Sequence, residues 1–434
     1  MIGLGPSFPV IGQSLFVAFY WVGQMIKLWW WIALPFFLFP SWRFLYKWRI
    51  QNRWGAERAQ YKLLEIKLPE EVKRPIKAME QVFSHLWSVY DPSNFKEEWI
   101  DGKFLLNFSL EIVGIDGKIH FLIRSPIALE EMIKSIIYSQ YPEVEIIDFP
   151  DYTQQVPQKL PNREWKIWGC NYRLNRADSY PIKTYEQFFE KSPEAKEEKR
   201  VDPLASLLEG MAMMKKGEQL WIQIVAKPIT DKEDNWISRG RGLRDKLTKR
   251  TSDEKRKSIL RQVFETLFLW KGSEEAVVEK KNFSMMEFTS AENRVIEAIE
   301  DKIAKYGFQC TIRFLYLGKK ENFFKPRIKV PINFFVGLST EGLNGLRPWM
   351  VTTVYYPPHK EQRIYFKKRD LFWHYIKRLP PLFPKGGGTF VLNTEELATI
   401  FHFPGKIAAP APSLERIRMS KGEPPLNLPV ADQE

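Results

Sequence analysis

The stretch FLLNFSLEIVGIDGKIHFLIR, residues 104–124, decides the fold class, because two alternating apolar runs flank a single turn. Residues 104–113 and 118–124 have the two-residue period of half-buried strands. Asp116-Gly117 lies between them, and this pair is favoured in two-residue hairpin turns because both central residues need a positive φ. The stretch therefore predicts an antiparallel β-hairpin.

Helical and strand patterns surround this hairpin. A helical pattern covers residues 74–90, a second helix begins at Ser125-Pro126, and residues 144–149 read as a strand. The order helix, hairpin, helix, strand predicts an α+β module with helices on one face of a sheet. A weaker copy of this order follows: a strand at 220–226, helical patterns at 236–270 and 291–306, and a strand at 308–317. We therefore predict two ferredoxin-like (split βαβ) halves that pair with each other.

Shifts in composition divide the chain into segments. The predicted organisation is a short extracytoplasmic N-terminus at 1–14, a transmembrane anchor with an interfacial belt at 15–48, a first α+β module at 60–182, a polar insertion at 183–218, a second α+β half with a long basic helix at 219–330, a basic aromatic irregular region at 331–403 and a Pro-rich tail at 404–434.

The apolar run at residues 15–38 exceeds the roughly 20 residues that span a bilayer. Lys27 interrupts it, which leaves two arrangements open: a span that starts near Lys27 and runs toward Trp48, or a deeper span in which Lys27 snorkels or contacts a partner helix. No cation precedes Lys27 and several follow the apolar run, the reverse of a secretory signal. The positive-inside rule then predicts a single-pass protein of the cytoplasmic (inner) membrane, with its N-terminus outside and its body in the cytoplasm.

The totals favour an anionic partner. The net charge is +13, which suits nucleic acid, an acidic membrane surface or an acidic protein, although membrane proteins often carry such an excess on their cytoplasmic side. Cys170 and Cys310 are the only cysteines and lie far apart in sequence, so neither a disulfide framework nor a zinc site is expected.

Motifs for catalysis are missing from the sequence. Each Gly-Lys pair lacks the following Ser or Thr of a phosphate-binding loop, and there is no G-x-S-x-G elbow. The five histidines are dispersed, and His120, within the predicted hairpin, is expected on its solvent face. We therefore predict a protein that is not an enzyme and that has no metal and no cofactor.

Two stretches, residues 239–261 and 347–385, each have a net charge of +7. Aromatic residues alternate with cations in the second stretch, a combination typical of surfaces where bases stack while cations hold phosphates. A solvated surface and a contact with lipid or protein remain open for both stretches. The candidate contacts for nucleic acid or anionic lipid are Arg239, Arg241, Arg244, Lys246, Lys249, Arg250, Lys367, Lys368, Arg369, Lys377 and Arg378.

Several segments, among them FSLEIV at 108–113, IIYSQYP at 136–142 and NTEELA at 393–398, give the chain a family resemblance. Over residues 15–430 it resembles the membrane-anchored N-terminal region attached to, or encoded with, TraG-like and HerA-like conjugative ATPases. In those proteins a phosphate-binding loop follows the segment that corresponds to residues 390–429. The resemblance implies a component of a DNA-transfer or type IV secretion-like apparatus that lacks its own motor.

Two functional hypotheses follow. The first is a non-catalytic single-pass membrane component that docks a separately encoded ATPase within a homo-oligomeric or larger assembly. Its tail would supply the docking residues Pro404, Pro410, Pro412, Pro424 and Pro425. The alternative is a membrane-tethered nucleic-acid-binding protein that uses residues 239–261 and 347–385.

Overall fold

The computed structural model describes residues 10–58, 60–69, 72, 74–188, 202–248, 289–355, 357–381, 388–405 and 416–417. The chain divides into two compact units. One unit comprises residues 1–60 and 92–105, and the other comprises residues 61–91 and 106–434.

The first unit is built on one long helix, α1 (Val10–Arg58), and a π-helical turn at Glu97–Asp101. The ring of Trp54 packs edge-to-face on Phe104, with 5.0 Å between centroids. Gly102 follows the π-helical turn with φ 77°. A side chain there would collide with the backbone of Ile50, only 2.4 Å from an added Cβ, so this close approach requires glycine.

The predicted transmembrane anchor is wrong. Within the described part of the chain, no helix combines the length and the apolar character that a membrane span requires. Gln24 and Lys27 place polar groups inside the apolar run of α1, and both side chains are exposed. The predicted single-pass topology, the predicted orientation and the predicted inner-membrane location depended on this anchor, so they are wrong as well. Lipid contact, expected together with the anchor, stays a prediction.

The second unit contains ten strands and eight helices in its described residues. The strands are β1 (Tyr61–Pro69), β2 (Phe108–Ile115), β3 (Lys118–Pro126), β4 (Glu145–Asp148), β5 (Trp165–Leu174), β6 (Glu218–Ile229), β7 (Gly307–Lys319), β8 (Leu346–Trp349), β9 (Phe390–Asn393) and β10 (Arg416–Ile417). The helices are α2 (Ile76–Leu86), α3 (Glu130–Gln140), α4 (Ala205–Ala212), α5 (Trp236–Leu247), α6 (Ser290–Ala304), α7 (Lys329–Gly337), α8 (Lys360–Lys377) and α9 (Thr394–Ile400).

The hairpin at the centre of the sequence argument is β2–β3. Asp116 and Gly117 have φ values of 54° and 86°, as the two central residues of a type I′ turn require. The register pairs Ile115 with Lys118 and continues to Ser109 opposite Arg124. The predicted hairpin is therefore present.

Strands β1 to β9 form one antiparallel sheet, and β10 adds a short parallel pairing to β1. The strands follow the order β4-β1-β3-β2-β6-β7-β5-β8, and β9 pairs with the first residues of β7. Strands β4, β1, β3 and β2 form the first half of this order, strands β6, β7, β5 and β8 form the second, and the edges β2 and β6 join the halves. The class is α+β with one large sheet.

The predicted fold differs from this structure in its boundaries as well as in the anchor. The predicted ranges of the two halves were 60–182 and 219–330, whereas β5 lies at Trp165–Leu174 within the first range and belongs to the second half. Strand β8 completes that half at Leu346–Trp349, beyond the second range. The two halves share a continuous sheet because β2 and β6 pair over eight residues, from Phe108 to Ile115.

Residues 331–403, predicted to be irregular apart from short strands at 350–356 and 389–392, hold regular helices as well. Helix α8 runs for 18 residues without Pro or Gly, since the prolines of this region flank it. Strand β9 and helix α9 follow, and every residue of both is buried. Proline content misled the prediction because it marks the ends of α8 and not its interior.

Both faces of the sheet are covered. Alternate residues of β7 belong to different cores: Phe314 and Tyr316 contribute to the larger core, and Leu315 and Leu317 to the smaller one. Helices α2, α3, α4, α7 and α9 pack in the larger core. Helix α8 covers the opposite face, with Leu371, Phe372 and Tyr375 buried there.

Candidate functional site

Two of the predicted contact residues on α5 are already occupied by carboxylates. Arg239 forms ion pairs with Asp178 and Asp234. Arg244 pairs with Asp245 and with Glu300 of α6. Both guanidiniums therefore hold α5 in place. The side chains of Arg241 and Lys246 are exposed, while Lys249 and Arg250 lie outside the described residues.

Helix α8 presents a different surface. Its buried residues are Leu371, Phe372, His374 and Tyr375. Its opposite face carries residues at intervals of three or four, which places them on one side of the helix. Phe366 and Trp373 stand on that side with 65% and 50% of their surfaces exposed. The five residues of this aromatic–cationic stripe are Gln362, Phe366, Arg369, Trp373 and Lys377, all exposed.

The other predicted residues of α8 have different environments. Lys367 is exposed and reaches the carbonyl of Val351 at 3.4 Å. Lys368 is half-buried, and burial together with the nearby Lys166 lowers its pKa. Arg378, at the C-terminal end of the helix, is buried and unavailable to a large partner.

Arg378 is the centre of a buried charge network. Its Nε lies 3.1 Å from Oε1 of Glu111 on β2, and its Nη1 lies 2.8 Å from Oδ2 of Asp151. Burial acts to raise the pKa of Glu111, but Arg378 and the hydroxyls of Ser109 and Tyr152 together hold that pKa below its usual value. Both carboxylates are therefore charged at neutral pH.

Neutral donors complete the coordination of Glu111. Tyr152 donates its hydroxyl to Oε2 at 2.7 Å, and Gln223 of β6 donates its amide to Oε1 at 2.8 Å. Burial raises the pKa of Tyr152 well above its usual value, and the neighbouring Glu111 charge acts in the same direction. The tyrosine is thus a protonated donor and is not a base.

A second buried arginine lies on the same face of the sheet. Arg313 of β7 pairs across strands with Gln223 of β6 and with Asn171 of β5. Its Nη2 donates to the carbonyl of Leu379, whereas Nε and Nη1 have no hydrogen-bond partner. Burial lowers the pKa of Arg313 to about 10, so it remains cationic at neutral pH.

This network opens to the surface through a cleft of about 550 Å³. The cleft is lined by Arg124, Asp151, Thr153, Gln154, Gln158, Ile376, Lys377 and Arg378. Lys377 belongs both to the cleft and to the aromatic–cationic stripe, so the two features are contiguous. Arg124 lies over the ring of Tyr61, with its Cζ 3.9 Å from the centroid.

The histidines do not form a common site. His120 is only 11% exposed and lies against Glu65, so the expected solvent position is wrong. His402 is fully buried between the carbonyl of Ala398 and the carboxylate of Asp202, at 2.8 and 2.9 Å. In the described part of the chain, no three His, Cys, Asp or Glu residues are grouped as metal ligands.

Pro404 is the one predicted docking residue within the described part of the chain. Pro410, Pro412, Pro424 and Pro425 lie outside the described residues. Pro404 is buried directly after α9, behind Phe401 and Phe403, which pack on Phe121 of β3. It belongs to the core of the second unit.

Sequence reasoning missed Glu111, Asp151 and Arg124. The sequence of β2 did contain one indication of the site. Phe108, Leu110 and Ile112 lie on one face of this strand, and the polar residues Ser109 and Glu111 lie on the other. A buried strand with polar residues on one face indicates a polar partner on that side. That partner is Arg378, which lies 267 residues away in sequence, so no local pattern around Glu111 indicates it.

Comparison with known proteins identifies a family and no function. A family described as a domain of unknown function (DUF8128) matches residues 68–335, more than half of the chain. The match includes Glu111, Arg124 and Asp151, and it ends before α8. No curated protein matches the chain. The chain belongs to the family described as a domain of unknown function (DUF8128).

Proposed function

We propose that this chain is a non-catalytic nucleic-acid-binding component of a DNA-transfer or type IV secretion-like apparatus. The observation that carries the proposal is the aromatic–cationic stripe of α8. Phe366 and Trp373 are exposed on the same side of the helix as Arg369 and Lys377. Bases stack on exposed aromatic rings, and cations beside the rings attract the phosphates.

The stripe suits a single strand better than a duplex. Rings stack on bases only where the bases are unpaired, and every base offers a face for stacking. Phe366 and Trp373 also provide apolar surface on one side of the helix, on which a partner can pack. The chain's charge of +13 favours an anionic one.

Helix α5 is the weaker candidate for the same role. Two of its four described candidate cations, Arg239 and Arg244, are neutralised by carboxylates, and its sequence WISRGRGLRDKL places no aromatic ring among the cations. A cation that already has a partner contributes little to phosphate binding, because that pair must first be separated. We therefore assign the nucleic-acid contact to α8.

The apparatus itself is inferred from the resemblance to proteins of conjugative transfer. A TraG-like or HerA-like ATPase encoded separately would provide the motor, and residues beyond Gly405 would dock it. This part of the proposal rests on the resemblance alone.

Binding of fluorescently labelled single-stranded DNA, followed by anisotropy at several salt concentrations, tests the proposal. We expect Phe366→Ala and Trp373→Ala each to weaken binding about 10-fold, because a stacked base contributes about 1–3 kcal/mol. Arg369→Gln should lower the slope of log K against log salt by about 0.7.

Arg241→Gln and Lys246→Gln on α5 are the matched controls, since each removes one exposed charge outside the stripe. Both should bind DNA like the wild-type protein. Equal affinity of the wild-type and Trp373→Ala proteins would exclude the stripe as the binding surface. Loss of binding in the α5 variants alone would transfer the function to that helix.

A further inference from the structure

The cleft beside α8 has more positive than negative charge. Glu111 and Asp151 are the two carboxylates of the network, and Arg378 bridges both of them. Arg313, Arg124 and Lys377 add three further cations in or beside the same cleft. A surplus of buried or half-buried cations is unfavourable unless an anion compensates it.

Arg124 is the cation best placed to hold that anion. Within the described residues its guanidinium makes a ring contact with Tyr61 but no hydrogen bond and no ion pair. The tyrosine ring covers one face of the planar guanidinium. The N–H groups of the guanidinium point outward in its plane, where a ligand with two oxygens can accept hydrogen bonds from them. Burial and the neighbouring Arg378 charge lower the pKa of Arg124, although the charges of Glu111 and Asp151 act in the opposite direction.

The lining of the cleft also contains a second cation and neutral polar groups. Lys377 is exposed, and so is Gln154 of the 3₁₀ turn Tyr152–Gln155. Asp151 does not repel an anion strongly, because both of its oxygens accept hydrogen bonds from Arg378, at 2.8 and 3.1 Å. A tetrahedral oxyanion matches this set of donors.

We propose that the cleft is a phosphate subsite, in which Arg124 and Lys377 hold one backbone phosphate of a nucleic acid strand that runs along α8. This inference rests on the proposed function, because it assigns the phosphate to the same strand whose bases stack on Phe366 and Trp373. Lys377 connects the two features, since it ends the stripe and lines the cleft.

The first arm of the test uses inorganic phosphate alone. The thermal midpoint of the full chain is measured in phosphate and in chloride at equal ionic strength, for the wild-type, Arg124→Gln and Arg241→Gln proteins. Phosphate should raise the midpoint of the wild-type protein and of Arg241→Gln more than that of Arg124→Gln. An equal rise in all three proteins is a general salt effect and overturns the subsite.

The second arm uses single-stranded DNA. Arg124→Gln should weaken binding about 10-fold and reduce the slope of log K against log salt by about 0.7, the value for one phosphate contact. Arg124→Lys, which keeps the charge, should retain the slope. If Arg124→Gln does not fold, Lys377→Gln replaces it, because that side chain is exposed.

The two arms separate the subsite from the proposed function. Phosphate stabilisation that depends on Arg124, without any DNA binding, would show that the ligand is free phosphate and that the nucleic-acid function is wrong. DNA binding with an unchanged slope in Arg124→Gln and Lys377→Gln would leave the function in place and exclude the cleft as its phosphate site.

Discussion

Arg378 shows at the scale of one residue how the site is held. It ends α8 with φ 54°, in the left-handed region that favours glycine and costs another residue about 1–2 kcal/mol. Ion pairs to Glu111 and Asp151 offset this cost, because they satisfy two carboxylates that the sheet and the 3₁₀ turn bring into the interior. The strained backbone and the buried charges therefore depend on each other.

Arg378→Met should destabilise the protein by about 3–5 kcal/mol at neutral pH, because it leaves Glu111 buried without its cation. In the wild-type protein the pKa values of Glu111 and Asp151 are lowered. The two ion pairs therefore stabilise the fold at a pH above the usual carboxyl pKa, and this stabilisation declines as the pH falls below about 4.5. Without Arg378, burial would raise the pKa of Glu111, and acid would favour the folded state.

Urea unfolding of both proteins at about pH 7 and about pH 4 measures the effect. The difference in unfolding free energy between them should shrink at the lower pH. A difference that stays constant would mean that Arg378 stabilises the fold through packing and not through its charge.

At the scale of elements, a buried lysine joins α6 to α9. Lys302 and Glu396 are both fully buried and lie 3.0 Å apart. Lys302 also donates to the carbonyl of Val391 on β9, at 3.1 Å. Glu396 in turn accepts from the backbone N–H of Asn393, which forms the capping box that begins α9. One ion pair thus positions two helices and a strand.

Lys302→Met is expected to lower the unfolding free energy by about 3–5 kcal/mol, because Glu396 would remain buried without a cation. The matched control is Arg244→Met, which breaks a more exposed pair between α5 and α6 and should cost about 1 kcal/mol or less. Urea denaturation of both variants decides the comparison. Equal losses would mean that burial of the pair adds nothing.

For the whole molecule, strand β9 and helix α9 show that the C-terminal part of the chain belongs to the second unit. Strand β9 pairs with β7 from Gly307 to Cys310, and α9 is buried along its whole length. Phe403 then packs on Tyr141, with 4.9 Å between ring centroids. Residues 390–405 are therefore a structural part of this fold, and Arg416–Ile417 adds the short β10 pairing to β1.

Truncation should reveal that boundary. A chain ending at residue 389 should lose its cooperative thermal transition, since it lacks a strand, a helix and Glu396. A chain ending at Gly405 loses only the two-residue strand β10 and should keep the transition within a few degrees. If the chain ending at Gly405 keeps the transition, it can be used to test the tail. A TraG-like or HerA-like ATPase that co-purifies with the full chain should then not co-purify with this shorter chain. Retained binding would exclude residues 406–434 as the docking segment.

Local patterns in the sequence were enough to predict the β2–β3 hairpin and most of the helices around it. The turn depends on two adjacent residues, Asp116 and Gly117, and each helix depends on apolar residues three or four positions apart. The cations and aromatic rings of α8 were also recognised, because they are neighbours in sequence.

Only the tertiary structure decided which edges meet and which charges are paired. Strands β2 and β6 pair although more than one hundred residues separate them in sequence. Arg378 and Glu111 form an ion pair although they are 267 residues apart. Backbone hydrogen bonding at a free strand edge is nearly independent of side chains, so no local sequence pattern specifies that partner. The ion pairs of Arg239 and Arg378 depend on tertiary packing, which no local sequence pattern contains. The same holds for the exposure of Phe366 and Trp373.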